Sequence, residues 1–144
     1  MAIYATKQDL TDRDEGMLDN FALDPATGEL NDVWIDEALM TADDEINSRI
    51  ARRYTLPLPT VPASLTRIAV VIAFYWLADR DNMATNLLEE RYKKALADLK
   101  EIASGSMDLG LPATEVVPEG SQGKVELLQE NERLFNRNSL KGVL

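Results

Sequence analysis

Residues 52–62 read RRYTLPLPTVP. Three of the chain's six prolines, Pro57, Pro59 and Pro62, fall here. The residues on both sides are patterned as helices, so this stretch decides how two helices are joined. A plain connector is short, polar and rich in glycine. This one is leucine, valine and proline behind two arginines and a tyrosine. Proline holds φ at about −65° and donates no backbone hydrogen bond, so TLPLPTVP is expected to be extended and stiff. It loses little entropy on binding. Two readings stand side by side: a loop packed over the chain's own core, or a contact arm.

Upstream of the prolines, Ile35, Leu39, Ala42, Ile46 and Ile50 recur at helical spacing, with Asp36, Glu37, Asp43, Asp44 and Glu45 opposite. Asn31 is a good N-cap, and Leu30 and Ile35 are placed for a hydrophobic staple. Glu45 and Arg49 stand four apart in the favourable orientation. These features predict a long amphipathic helix over 32–53, bounded by Pro57. Downstream, Pro62 is expected in the first turn of a helix over about 63–79. That helix contains AVVIAFYWLA, residues 69–78, and is apolar nearly all round, so it is expected at the centre. Phe74, Tyr75 and Trp76 read as core rather than as a cofactor pocket.

DRDN, residues 79–82, breaks the pattern. A strongly amphipathic helix follows near 83–103, with Leu88, Tyr92, Ala95, Leu99 and Ile102 as its stripe. Glu89–Lys93 and Glu90–Lys94 are expected surface pairs, and Gly105 is the stop. Before the long helix, Thr6 with Asp9 reads as a capped start. Short helices are predicted near 7–12 and 14–21, followed by a turn at DPATGEL. Residues 104–144 carry five of the seven glycines and two prolines, with little period. Such a segment is not expected to fold alone. The predicted organisation is therefore an all-α bundle of three principal helices with short N-terminal helices over 1–105, and an extended C-terminal arm over 106–144.

Composition narrows the function. The chain has 144 residues, no cysteine, no histidine and a net charge of −10. No disulfide framework, thiol nucleophile or zinc–thiolate site can be built, and the commonest general base and metal ligand is missing. Residues 1–48 hold thirteen acids against two bases, whereas 49–103 hold nine bases against six acids. An acidic total argues against sequence-specific DNA binding. The polarity suits head-to-tail contact between copies, weakened by salt. MAIYATKQDL lacks the pattern of a signal peptide. The ten-residue apolar run is too short to cross a hydrocarbon core of about 30 Å, so a soluble intracellular protein is expected.

The candidate chemistry is sparse. The clusters Asp12–Asp14–Glu15 and Asp43–Asp44–Glu45 read as solvated faces. DPATGELND resembles a calcium loop only in its glycine, because Leu23, Pro25, Thr27 and Trp34 stand where acids are needed. No Gly-rich phosphate loop is present, and no motif supports a Ser–Lys or carboxylate enzyme. The sequence predicts no catalysis, no metal and no cofactor. Arg52 and Arg53 either answer a helix C-terminus or pair with an acidic neighbour. The closing RLFNRNSLKGVL places Phe135, Leu140 and Val143–Leu144 on a segment with nothing of its own to cover them, and reads either as a disordered end or as anchors for another chain, by strand addition or groove binding.

Several stretches carry a resemblance. They are MAIYATKQDL, the ID-x-A-L at 35–39, INSRIARRYTLPLPTVPASLTRIAVVIAFYWL at 46–77, RYKKALADLKEIASG at 91–105 followed by MDLGL, and RLFNRNSLKGVL. Together they resemble the gene-product-thirty-six family of Mu-like phages and prophages, over almost the whole chain. Residues 12–30 match it poorly. The resemblance implies a head-completion protein similar to all-helical head–tail connector subunits. It would be found at the head–tail junction of the virion, and in the host cytoplasm during assembly. Such subunits form a homo-oligomeric ring, commonly of about twelve copies, beneath the portal. The implied partners are the portal protein and a tail-proximal, stopper or terminator protein. DNA passes through without sequence-specific binding, and no membrane is involved. Arg52, Arg53, Tyr54, Leu56, Pro57, Leu58 and Pro59 would then face a neighbouring subunit. Arg133, Phe135, Arg137 and Leu140 would dock the arm. Asp43 and Asp44 would line the tunnel and repel phosphate. The alternative from another class is a soluble helical regulatory or chaperone-like module that binds one partner through its C-terminal tail.

Overall fold

A computed structural model of the chain describes residues 2–112, and those residues are all-α. Four helices run in order: α1 Lys7–Ala22, α2 Asp32–Ile50, α3 Ala63–Arg80 and α4 Asn86–Ser104. Three of them start on a side chain that accepts from an otherwise orphaned amide. Thr6 and Asp9 form a reciprocal capping box at α1. Asn31 accepts from the Trp34 amide at α2, and Thr85 accepts from the Leu88 amide at α4. Each such cap contributes on the order of 1 kcal/mol. Thr85 moves the start of α4 to 86, later than the 83 expected from the apolar stripe. Pro62 precedes α3 in an extended conformation, φ −64° and ψ 146°, rather than lying in its first turn.

The two short helices expected at the start are the two halves of α1. Asp14 interrupts it with φ −166° and ψ 91°. Its carboxylate then accepts from the Met17 amide, which re-caps the second half. The turn at 24–30 is closed by Asp24 N to Glu29 O at 2.9 Å and Gly28 N to Asp24 O at 2.8 Å. Gly28 sits there at φ +72°, a conformation that glycine adopts freely.

α3 is the central helix, packed against α1, α2 and α4, while α2 also meets α1 and α4. Leu65, Ile72, Leu77, Ala69 and Ala73 on α3 are essentially inaccessible, as are Ile35, Ile46 and Ile50 on α2 and Leu99 and Ile102 on α4. Burying one such aliphatic side chain stabilises by roughly 1.5–3 kcal/mol before entropy is counted. Arg80 lies over the Trp34 ring, 3.4 Å from its centroid, and so ties the end of α3 to the start of α2.

α2 stops as a regular helix at Ile50, three residues earlier than predicted, and residues 51–53 complete a turn. α4 stops at Gly105, whose φ is +93°. A Cβ there would lie 2.9 Å from Arg53 Nη1, the mobile end of a long side chain that can move aside, so it is the left-handed backbone that favours glycine. The chain then turns back. Met107, Leu109 and Leu111, the first apolar residues of the segment expected as an arm, pack against the bundle.

Candidate interaction surfaces

Three consecutive acids on α2 show how the body uses its polar groups. Successive helix residues point about 100° apart, so Asp43, Asp44 and Glu45 meet three environments. Asp43 is only 5% exposed. Its carboxylate accepts from the Ile3 amide at 2.7 Å and the Tyr4 amide at 3.1 Å. Tyr4 is further held by its hydroxyl on Asn47 and by Thr66, whose hydroxyl donates to the Tyr4 carbonyl at 2.8 Å. The N-terminal segment is thus clamped between α2 and α3. Burial, reinforced by the Asp43 charge, pushes the Tyr4 hydroxyl up to about 12.

Glu45 turns the other way, into the seam between α3 and α4. It accepts from Trp76 Nε1 at 3.0 Å and from the Tyr92 hydroxyl at 2.9 and 3.1 Å. Arg49 stands 3.9 Å away, in the pairing that the sequence spacing suggested. Tyr75 stacks on Tyr92 with centroids 4.1 Å apart. Burial, with help from Glu45, pushes the Tyr92 hydroxyl up to about 12. Of the predicted solvated cluster only Asp44 is exposed. Of the predicted tunnel-lining pair, Asp43 is accordingly corrected to a buried structural residue, because its charge is directed at the amides of residues 3 and 4.

Of the apolar trio in α3, Phe74 is core, whereas Tyr75 and Trp76 sit half-buried at this seam. The surface pairs expected on α4 also differ, since Lys94 lies 3.5 Å from Asp98 rather than against Glu90.

The prolyl segment alternates. Tyr54, Leu56 and Leu58 turn inward, while Thr55, Pro57 and Pro59 turn outward. The segment expected to be extended and stiff instead bends at 56–57 and at 59–60, and these bends set which side chains face in and which face out. The leucines therefore fasten the segment to the core, and the proline rings face solvent together with Thr60 and Val61. The Leu56–Pro57 peptide bond is cis. Tyr54, expected to face a neighbour, is instead 2% exposed. Its hydroxyl donates to Asp108 at 3.2 Å and accepts from the Leu109 amide at 3.3 Å. An aromatic ring needs cover and a phenol needs partners, and residues 108–109 supply the partners. The Gly110 amide and then the Tyr54 hydroxyl hold the Asp108 carboxyl below the usual carboxylate range.

Arg53 answers a helix C-terminus, but that of α4: its Nη1 donates to the Ile102 carbonyl at 3.5 Å. Arg52 is exposed and lines a cleft of about 460 Å³ with Arg49, Lys100 and Leu96. The other expected contact residues, Arg133, Phe135, Arg137 and Leu140, lie outside the described residues. Among the described residues no grouping of metal-ligating side chains occurs, and no helix is long and apolar enough to cross a membrane.

Two surfaces go beyond the residues singled out from the sequence. The outer face of α2 exposes Val33 and Met40 among Asp36, Glu37 and Asp44. Val33 and Met40 are two helical turns apart, a spacing visible in the sequence but overshadowed by the stronger core stripe. Between α1 and α4, α3 floors a cleft of about 430 Å³ lined by Ile68 and Val71 and ringed by Arg13, Arg67, Arg91 and Lys94. Those four cations come from three helices, so no local pattern announces them.

The profile of the family described as bacteriophage Mu, Gp36, matches residues 4–127. The chain belongs to this family. The match takes in all four helices and the prolyl segment. Mu-like prophage FluMu protein gp36 of Haemophilus influenzae is 32% identical over 145 residues and is aligned along the whole of both chains. Gene product J of Escherichia phage Mu is 28% identical over 144 residues, covering 98% of this chain and 99% of that protein. The protein is therefore of a phage or prophage family, and its all-α fold agrees with the expectation from helical patterning.

Proposed function

We propose that the protein is a structural head–tail connector, a head-completion subunit that forms a ring below the portal and joins it to the tail without catalysis. The observation that carries this reading is the outward row of Pro57, Pro59 and Val61 on a segment whose leucines, half-buried, pack against the core. It is a stiff apolar ledge, fixed to a rigid body before any partner arrives, and so it costs little ordering on contact. Membership of the Mu Gp36 family supports a virion role. The acidic balance of the chain supports passage of DNA without retention. Weak contacts become cooperative once a ring closes, because the last subunit is held on two sides.

The test is binding of the purified full chain to purified portal rings, read by light scattering and by electron microscopy of the mixture. A stoichiometric ring on the portal supports the reading. Portal complexes that ignore the chain, together with complete particles from a phage lacking it, refute it.

A further inference from the structure

We propose that subunits join head to tail by seating the acidic outer face of α2 in the basic cleft of the next copy, between its α1, α3 and α4. This assignment rests on the ring reading above and specifies its contact.

The two surfaces share no residue and are complementary in both charge and apolarity. On α2, Val33, Asp36, Glu37, Met40 and Asp44 fall within a stripe about 100° wide and about 16 Å long. Val33 is 63% exposed and Met40 53%, and the stripe carries three acids and no base. The facing cleft has an apolar floor, Ile68 and Val71, and a rim of Arg13, Arg67, Arg91 and Lys94. Asp98 is the acid at that rim, and Lys94 already pairs with it. Among the described residues Arg13, Arg67 and Arg91 enter no ion pair. In a chain of net charge −10, three arginines that enter no ion pair among the described residues stand around the buried Ile68 and half-buried Val71 of α3, with Asp9, Asp12 and Asp14 lining the adjoining clefts; the arrangement favours an acidic, partly apolar occupant. The α2 stripe meets that description. The chain's own residues 113–144 meet it less well, because Lys124, Arg133, Arg137 and Lys141 nearly offset their five glutamates.

A contact between two different patches is heterologous. Repeated with a fixed rotation it closes a ring where that rotation divides a full turn and otherwise runs on as an open filament, so it does not give the self-complementary interface of a two-fold dimer. The polarity of the interface also sets its salt response, since the screening length falls from about 10 Å at 0.1 M to about 3 Å at 1 M.

The absence of cysteine from the chain permits a direct test. Full-length protein carrying both Met40→Cys and Val71→Cys is oxidised alone and in the presence of portal rings. A ladder of dimers, trimers and longer species is expected. Each single substitution should give at most a dimer. In parallel, Glu37→Lys with Asp44→Lys, or Arg67→Glu with Arg91→Glu, should weaken assembly about tenfold or more, because like charges then face each other. Mixing the two charge-reversed proteins should restore it, since every contact in an alternating ring is again opposite in sign. Circular dichroism of each variant checks the helical body.

If the wild-type chain assembles in either setting but no ladder forms, or the reversals leave assembly unchanged, this docking is overturned while the ring stands. A monomeric crosslink between Val71→Cys and Leu127→Cys, without a ladder, assigns the cleft to the chain's own end and overturns it too. A wild-type chain that assembles in neither setting overturns the ring reading and this contact with it.

Discussion

Replacing Asp43 by alanine separates a structural acid from its exposed neighbour. The carboxylate holds two amides of the N-terminal segment, at 2.7 and 3.1 Å, and one of those bonds is fully buried. Hydrogen bonds to a charged group contribute about 1.5–3 kcal/mol each, and a stranded buried amide costs about 1–3 kcal/mol. The Ile3 amide is only part-buried and can turn to water, and relieving the burial of a charge returns part of the loss. The expected net destabilisation for Asp43→Ala is therefore about 3 kcal/mol, which for a chain of this size lowers Tm by about 10 °C. Asp43→Asn should lose nearly as much, since one of its two oxygens becomes another donor. Asp44→Ala, one residue along the same helix but exposed, should stay within about 0.5 kcal/mol of wild type. Urea unfolding followed by circular dichroism gives the ranking. Hydrogen exchange at residues 3 and 4 gives the local effect, and both amides should lose protection in Asp43→Ala. A loss under about 1 kcal/mol for Asp43→Ala, or equal losses for Asp43 and Asp44, would refute the clamp.

Three further outcomes are expected. Tyr4 and Tyr92 have hydroxyls raised from 10.0 to about 12, so between those pH values the unfolded chain gives up protons that the folded chain retains. Their contribution to stability is complete below pH 10 and is lost as pH rises toward 12, and Tyr4→Phe with Tyr92→Phe should flatten that decline in base titrations of unfolding. Gly105→Ala should cost about 1–2 kcal/mol in urea unfolding, from the left-handed backbone, with Arg53 swinging aside, and Gly110→Ala, at φ +74°, should cost a similar amount. Leu58→Ala should destabilise the monomer by about 1–3 kcal/mol, whereas Pro59→Ala should leave its unfolding nearly unchanged and weaken binding to portal rings; the reverse pattern would show that the inward and outward rows have been exchanged.

The apolar run at 69–78 is legible by itself, because a helix without a polar face must be covered by neighbours, and α3 packs against all three other helices with only Val71, Tyr75 and Trp76 of that run left half-buried. Asn31 and Gly105 mark their helix ends by local chemistry, and Thr6 with Asp9 does the same for α1. Asp43 and Glu45 are hidden for the opposite reason. On a helix rich in acids a carboxylate looks solvated, and the groups that bury these two arrive from 31 to 47 residues away in sequence. Tyr54 is hidden likewise, since Asp108 lies 54 residues on. The cleft cations are illegible because Arg13, Arg67 and Arg91 converge only when α1 and α4 both pack on α3. The alternation of leucine and proline at 56–59 is in the letters themselves, but the bends of the folded segment are needed to turn it into an inside and an outside.

The phenol of Tyr54 has a mechanical consequence. It moors residues 108 and 109 to the junction between α2 and the prolyl ledge. Leu109 and Leu111 pack on the bundle just beside that anchor. A pull on residues 108–111 would therefore be felt at the corner where the prolyl segment leaves α2, and Tyr54→Phe would slacken that mooring while leaving the aromatic ring to fill its place in the core.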